Sequence, residues 1–145
     1  MSGPTMNYET KKSMKIYMTH CSARKNRRLE GSSAKVTPDM LYTSPRVQRF
    51  MNRCKTKGVN WAIFSDRYGV WLSSEKHEFY DKPPSKVTPN EFRVLMNNFE
   101  SELSSFEEIW FYYNPRRFHR LYRELLKSTR LRDRIKLFSH LDEIK

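Results

Sequence analysis

The chain has 145 residues, 37% of them hydrophobic and 30% charged, and its 28 Lys and Arg against 16 Asp and Glu give a formal net charge of +12. That length suits one α/β domain with its own core, here residues 14–145, behind a polar N-terminal segment, 1–13, expected to be flexible. No run approaches a membrane span and the first residues lack the apolar stretch of a signal peptide, while two cysteines without metal-ligand spacing fit reduced thiols in a cytoplasm.

The first apolar run, Ile16-Tyr17-Met18-Thr19, predicts a strand that ends in His20-Cys21-Ser22-Ala23-Arg24-Lys25. Ligands of α/β proteins bind at the carboxyl ends of strands. A thiol, a hydroxyl and a lysine there can attack, donate hydrogen bonds and neutralise an anion. A small buried cysteine followed by a basic loop is the alternative. Residues 26–39 show no apolar periodicity and read as a mobile loop that orders on a ligand.

A helix follows, capped by Ser44, with Pro45 in its first turn and Gly58 as its stop. Val47, Phe50, Met51 and Cys54 share one of its faces, so Cys54 is a core residue. Val59–Ser65 reads as a buried strand ending in Asp66-Arg67-Tyr68-Gly69. Val70-Trp71-Leu72 is a short strand or a packed loop. Glu78-Phe79-Tyr80-Asp81 then leads to a break at Pro83-Pro84. Thr88-Pro89-Asn90-Glu91 is a capping box, and Phe92, Leu95, Met96, Phe99 and Leu103 mark the buried stripe of the helix it opens. Glu108–Tyr113 predicts a third strand. Asn114-Pro115 ends it and starts a long helix that buries Phe118, Leu121, Tyr122, Leu125 and Leu126. Residues 135–138 are a fourth strand or a helix.

This alternation predicts a three-layer α/β sandwich, a mainly parallel sheet of about four strands with helices on both faces. One hand of crossover brings the polar strand ends to one edge. Cys21-Ser22, 65–68 and Tyr113-Asn114 then converge, with Ser139-His140 as a further contributor.

Charge is concentrated in two places. Lys11, Lys12, Lys15, Arg24, Lys25, Arg27, Arg28 and Lys35 flank the first strand. Arg116, Arg117, Arg120, Arg123 and further cations up to Lys136 form a second cluster. Such clusters favour RNA, DNA or a nucleotide as partner, with Arg24, Arg27, Arg28, Arg116, Arg117 and Arg120 as contacts. A solvated, solubilising face is the other reading.

Cys21 is the one candidate thiol nucleophile, its thiolate favoured by Arg24 and Lys25. Asp66 or Asp81 serves as a base or hydrogen-bonds a base edge or ribose; a salt bridge to Arg67 is the alternative. Tyr68 and Tyr80 stack on a base or pack in the core. His20 points to the opposite face from Cys21, which leaves His140 as the more distant histidine candidate. With four glycines and no phosphate-loop spacing, a nucleotide-triphosphate hydrolase is disfavoured. No metal cluster and no cofactor is expected.

Four short motifs in order, Cys21-Ser22-Ala23-Arg24-Lys25, Leu41-Tyr42-Thr43-Ser44-Pro45-Arg46, Ser65-Asp66-Arg67-Tyr68-Gly69-Val70 and Glu78-Phe79-Tyr80-Asp81, resemble a small uncharacterised domain family of archaea, bacteria and phages. Its usual forms are Cys-Ser/Thr-x-x-Lys, Leu-Tyr-x-Ser-x-x-Phe, Ser-Ala-Lys-Tyr-Gly-Leu and Glu-Pro-Tyr-Asp. The Cys-Ser-x-x-Lys strand end is also similar to the core domain of archaeosine synthase, which attaches lysine to the nitrile of a 7-deazaguanine base in transfer RNA. Asn26 follows Lys25 where that family continues Lys-Pro-Tyr, and Val47 stands where it has a histidine, so a site is carried over and the reaction is not. The expected catalytic residues are Cys21 and Asp66, with Ser22, Lys25, Tyr42, Ser44 and Arg46 expected to bind the ligand. Arg67, Tyr68, Tyr80, Asp81 and Asn114 complete the expected ligand site. The expected function is a nucleobase- or nucleoside-processing or nucleic-acid-modifying enzyme domain. The alternative is a non-catalytic basic nucleic-acid- or nucleotide-binding module, and whether the chain is an enzyme stays open.

Overall fold

Strand β1, Lys15–His20, lies at the centre of a five-stranded sheet in a computed structural model that describes residues 14–145. The expected flexible segment 1–13, with Lys11 and Lys12, lies outside the described residues. On one side β1 pairs in parallel with β3, Trp61–Ser65, and on the other with β6, Glu108–Tyr112. β3 carries β4, Gly69–Leu72, antiparallel at one edge, and β6 carries β7, Ile135–Phe138, parallel at the other. A separate two-stranded sheet joins β2, Lys35–Val36, to β5, His77–Glu78. The helices are α1, Pro38–Leu41, α2, Pro45–Lys57, α3, Pro89–Leu103, and α4, Arg120–Ser128.

All five residues of β3 are buried, as expected of a parallel strand covered on both faces. Alternate residues of β1 feed two separate clusters. Ile16 and Met18 join Phe64, Phe111, Leu95 and Phe99, with Tyr122 and Leu125 of α4. Tyr17 joins Ile63, Val47, Phe50, Met51 and Cys54. The chain leaves β1 for β3 by way of α2 and later passes back across the sheet by way of α3 to reach β6. The strand order therefore reverses at β1, and the crevice outside the carboxyl ends of β1, β3 and β6 is the place such sheets use for ligands.

The caps behave as their residue types demand. The Ser44 side chain accepts from the Val47 N–H, Pro45 opens α2, and Gly58 closes it at φ 64°. Thr88 and Glu91 form both halves of a capping box on α3. Two readings left open are resolved and two expectations change. Val70-Trp71-Leu72 is a strand, which makes the sheet five-stranded, because Gly69 at φ 75° closes a tight hairpin after β3. Residues 135–138 settle as strand. The 26–39 stretch is built rather than open: Asn26 caps a 3-10 turn over Arg27–Leu29, and Lys35-Val36 pairs with β5. The third long helix starts at Arg120 and not at Pro115, because Asn114 Oδ1 accepts from the Arg116 N–H in a turn, and the His119 ring supplies the cap by accepting from Leu121 N–H.

Candidate functional site

The carboxyl ends of β1 and β3 open into one cavity of about 580 Å³, within the range that small-molecule sites occupy. Cys21 and Asp66 face it together. The α2 start with Ser44 and Arg46 closes one side, and His119 and Tyr122 of α4 close another. Asn114 after β6 and Asp81 and Lys82 before the Pro83-Pro84 break complete the rim.

At its base lies a hydrogen-bonded chain of three buried groups. The Tyr122 hydroxyl donates to Asp66 Oδ1 at 2.7 Å, and Cys21 Sγ stands 3.5 Å from the same hydroxyl. A phenol has one proton. With that proton on Asp66, the thiol is the donor to Tyr122. Burial, then the Asp66 charge, pushes the Cys21 thiol up from 9.0 to about 11. The expected Arg24- and Lys25-stabilised thiolate is thus corrected: at neutral pH this sulfur is a thiol, since a desolvated site beside a carboxylate favours the neutral form. Burial also raises the Asp66 carboxyl above its ordinary range, opposed by the hydrogen bond from the Tyr122 hydroxyl. Asp66 is not engaged with Arg67. Its partner is the Tyr122 hydroxyl, through which it is linked to Cys21.

Histidine and arginine line the next wall. The His20 ring stacks on Tyr122, centroids 4.5 Å apart. Its Nδ1 lies 2.8 Å from the Cys21 carbonyl oxygen, a partner that only an N–H satisfies, so Nδ1 carries the proton and the buried Nε2 is an acceptor without a hydrogen-bond partner. Burial, then the Arg46 charge, lowers His20 from 6.5 to about 3 and holds it neutral. No Cys21–His20 side-chain pair forms; both meet Tyr122 instead. Arg46 donates to Thr19 Oγ1 at 2.6 Å and to the His20 carbonyl at 3.0 Å. Thr19 in turn donates to the Tyr112 carbonyl at 2.8 Å, which ties Arg46 to the sheet.

Lys25 is held inward by a bridge to Tyr42, with Asn26 N–H donating to the Leu41 carbonyl. Its ammonium sits 4.6 Å above the Tyr80 ring, and burial lowers its pKa against the pull of the Asp81 and Asp66 charges. Tyr42 and Tyr80 bond each other through their hydroxyls and are buried, so Tyr80 forms the floor beneath Lys25 rather than a stacking face for a base. Tyr68 lies outside this cavity. Its ring stacks on His77 at 4.1 Å and its hydroxyl donates to the Glu78 carbonyl. It shares a neighbouring cleft with Arg67 and Lys82.

Among the other expected contacts, Ser22 and Arg24 line the cavity, and Ser22 Oγ accepts from the Arg24 N–H. Arg27 pairs with Asp81 at 3.1 Å on the exposed rim. Arg28 and Arg116 are exposed away from the cavity lining, Arg117 reaches it, and Arg120 borders an adjoining cleft. His140 stands after β7 and does not line the cavity; His119 takes that place. Tyr122, Lys82 and His119 are the residues sequence reasoning missed as site members. For Tyr122 a signal existed: a tyrosine in an otherwise apolar stripe needs a partner for its hydroxyl. Among the described residues no group of three His, Cys, Asp or Glu side chains is placed to hold a metal ion, and no helix is long and apolar enough to cross a membrane.

No family model matches the chain, and neither does any curated protein or solved structure compared with it.

Proposed function

We propose that the chain is a nucleobase- or nucleoside-processing, or nucleic-acid-modifying, enzyme domain whose site is the cavity at the carboxyl edge of the sheet. One observation carries the reading. The polar ends of β1 and β3 meet in a cation-lined cavity over a buried Cys21–Tyr122–Asp66 hydrogen-bonded chain. The four motifs that resemble the Cys-Ser-x-x-Lys domain family support kinship with it, since Cys21, Lys25, Ser44, Arg46, Asp66 and Asp81 all border that one cavity. The reading takes the architecture as a three-layer sandwich, supported by the division of the core into two clusters. It takes the setting as a reducing cytoplasm, in which the free thiols Cys21 and Cys54 stay reduced.

In this reading Asp66 is the base. The proton that Cys21 gives up passes to the Tyr122 oxygen as the Tyr122 proton passes to Asp66, leaving a thiolate and a neutral carboxyl. The resting state is thiol and carboxylate, and the proton transfer takes place as the sulfur attacks an electrophilic carbon of the bound ligand. A second reading, a binding module without turnover, is favoured by the same high Cys21 pKa and by the exposed Arg24, Arg28 and Arg116.

The test is mass spectrometry of small molecules and nucleic acid released from the purified protein, followed by incubation of the protein with the compounds found. The reading expects a bound nucleobase-containing compound, altered on incubation, with alteration lost and binding kept in Asp66→Asn and Tyr122→Phe. Binding without alteration selects the module. No binding of any nucleobase, nucleoside, nucleotide, RNA or DNA contradicts both.

A further inference from the structure

We infer that Lys25 and Arg46 form a phosphate subsite inside this cavity, which takes the phosphate of a nucleotide or of a nucleic-acid backbone. The nucleotide part rests on the function proposed above; the phosphate part rests on the two side chains alone.

Charge balance is the first observation. Lys25 is only 7% exposed, yet among the described residues its ammonium has no hydrogen bond and no ion pair, only the rings of Tyr80 and Tyr42 at 4.6 and 5.9 Å. Arg46 is half-buried; its bonds go to two neutral oxygens, Thr19 Oγ1 and the His20 carbonyl, and its one further polar contact, 3.4 Å to Nδ1 of the neutral His20 ring, brings no counter-charge. Of the five N–H groups of a guanidinium, three remain. Buried charges in proteins are normally paired, and an unpaired one is costly. Here two stand unpaired in one cavity.

The local acids do not repair this. Asp66 accepts from Tyr122 at 2.7 Å, and Asp81 is taken by Arg27 at 3.1 Å. The missing counter-charge has a definite form. A terminal phosphate, a dianion, balances both cations, whereas a backbone phosphodiester, like a carboxylate, carries one charge and leaves one of them uncompensated. The Arg46 fork is anchored by Thr19 and the His20 carbonyl, which fixes its plane for bidentate contact with phosphate oxygens, and Lys25 acts as a point charge. The start of the thirteen-residue helix α2, with Pro45 and Arg46 on the cavity wall, adds its dipole to the same spot. Arg24 and Arg117 at the mouth attract the anion and are too exposed to define its place.

Calorimetric titration of the whole protein tests this with inorganic phosphate, ribonucleoside 5′-monophosphates, the matching nucleosides, and a single-stranded oligonucleotide lacking a terminal phosphate. The expected result is that a phosphate-bearing probe binds at least about tenfold more tightly than the nucleoside, about 1.4 kcal/mol, and that inorganic phosphate competes with it. Lys25→Gln and Arg46→Lys each remove that advantage, the second because it keeps the charge and loses the fork. Should Arg46→Lys fail to fold, Lys25→Gln suffices, since the Lys25 ammonium holds no hydrogen bond. An advantage shown by the monophosphate assigns a terminal phosphate, and one shown only by the oligonucleotide assigns the backbone. Phosphate binding with no preference for any nucleoside-bearing probe keeps the subsite and overturns the nucleotide reading. Nucleosides binding as tightly as every phosphate-bearing probe, or no phosphate probe binding at all, overturns the subsite.

Discussion

At the scale of single residues the site is governed by desolvation rather than by the cations around it. Cys21 sits among Tyr122, Tyr80 and Asp66, and burial and the Asp66 charge outweigh the donors. With a pKa of about 11, on the order of one thiol in ten thousand is ionised at neutral pH. Alkylation by iodoacetamide should therefore be slow at neutral pH and rise with a midpoint near about 11. Asp66→Asn, which removes the like charge, should move that midpoint down. A midpoint at or below the ordinary thiol value, in the wild-type chain, contradicts the buried-thiol account. His20 gives a second prediction. Its pKa falls from 6.5 in the unfolded chain to about 3 in the fold, so between these values the unfolded chain binds a proton that the folded one excludes. Stability is then full above 6.5 and declines as pH falls toward about 3. His20→Phe keeps a ring against Tyr122 and removes the titration. Denaturant midpoints across that window should fall less steeply in the variant; equal slopes would show that His20 does not titrate as described. Asp66 works in the opposite sense, since its raised pKa makes stability fall as pH rises just above the ordinary carboxylate range.

At the scale of elements, glycine placement provides an internal comparison. Gly31 and Gly69 both adopt left-handed φ, 79° and 75°. A Cβ on Gly31 meets nothing within 4 Å, whereas one on Gly69 drives into the Asn98 side chain, whose Oδ1 accepts from the Val70 N–H at 2.8 Å. Gly31→Ala should cost about 1 kcal/mol by conformation alone, and Gly69→Ala clearly more, because it also displaces the Asn98 bond that fixes β4. Equal losses in chemical denaturation would mean that the Asn98 contact is slack. The helices α2 and α3 were legible because Ser44, Pro45, Gly58, Thr88 and Glu91 are residue types with one common use at helix ends. The start of α4 was not, because a histidine cap at His119 lies outside the favoured set and Asn114-Pro115 mimics a helix start. The β3–β4 hairpin was obscured for a related reason. Asp66-Arg67-Tyr68 reads as a polar strand end, and only the sheet pairing shows that Gly69 turns the chain straight back. Of the site, Cys21, Asp66, Lys25 and Arg46 could be placed from sequence because strand ends and helix starts converge in such folds. Tyr122 was passed over because its place on the apolar stripe reads as core packing, although a buried tyrosine hydroxyl needs a partner, here Asp66.

At the scale of the whole molecule, a net charge of +12 and exposed arginines around the cavity predict salt-dependent association with nucleic acid. Arg116, Arg117 and Arg120 are exposed. Replacing all three with Ala should leave thermal unfolding nearly unchanged and lower the slope of log affinity against log salt by about 1 for each arginine that touches a phosphate. Affinity that does not change with salt, in either protein, would mean the charge serves solubility alone. The central claim is more local: the carboxyl ends of β1 and β3, with the start of α2, form the ligand site. The most direct measurement is an NMR titration of the isotopically labelled protein with the ligand identified by mass spectrometry, or with a nucleoside 5′-monophosphate if none is carried. The account predicts that the perturbed resonances gather at Cys21, Ser22, Lys25, Arg46, Asp66 and Tyr122, with no change at the opposite sheet edge around Asn60 and Glu108. Perturbations centred on that opposite edge, or spread over the surface arginines with the cavity unchanged, would contradict it.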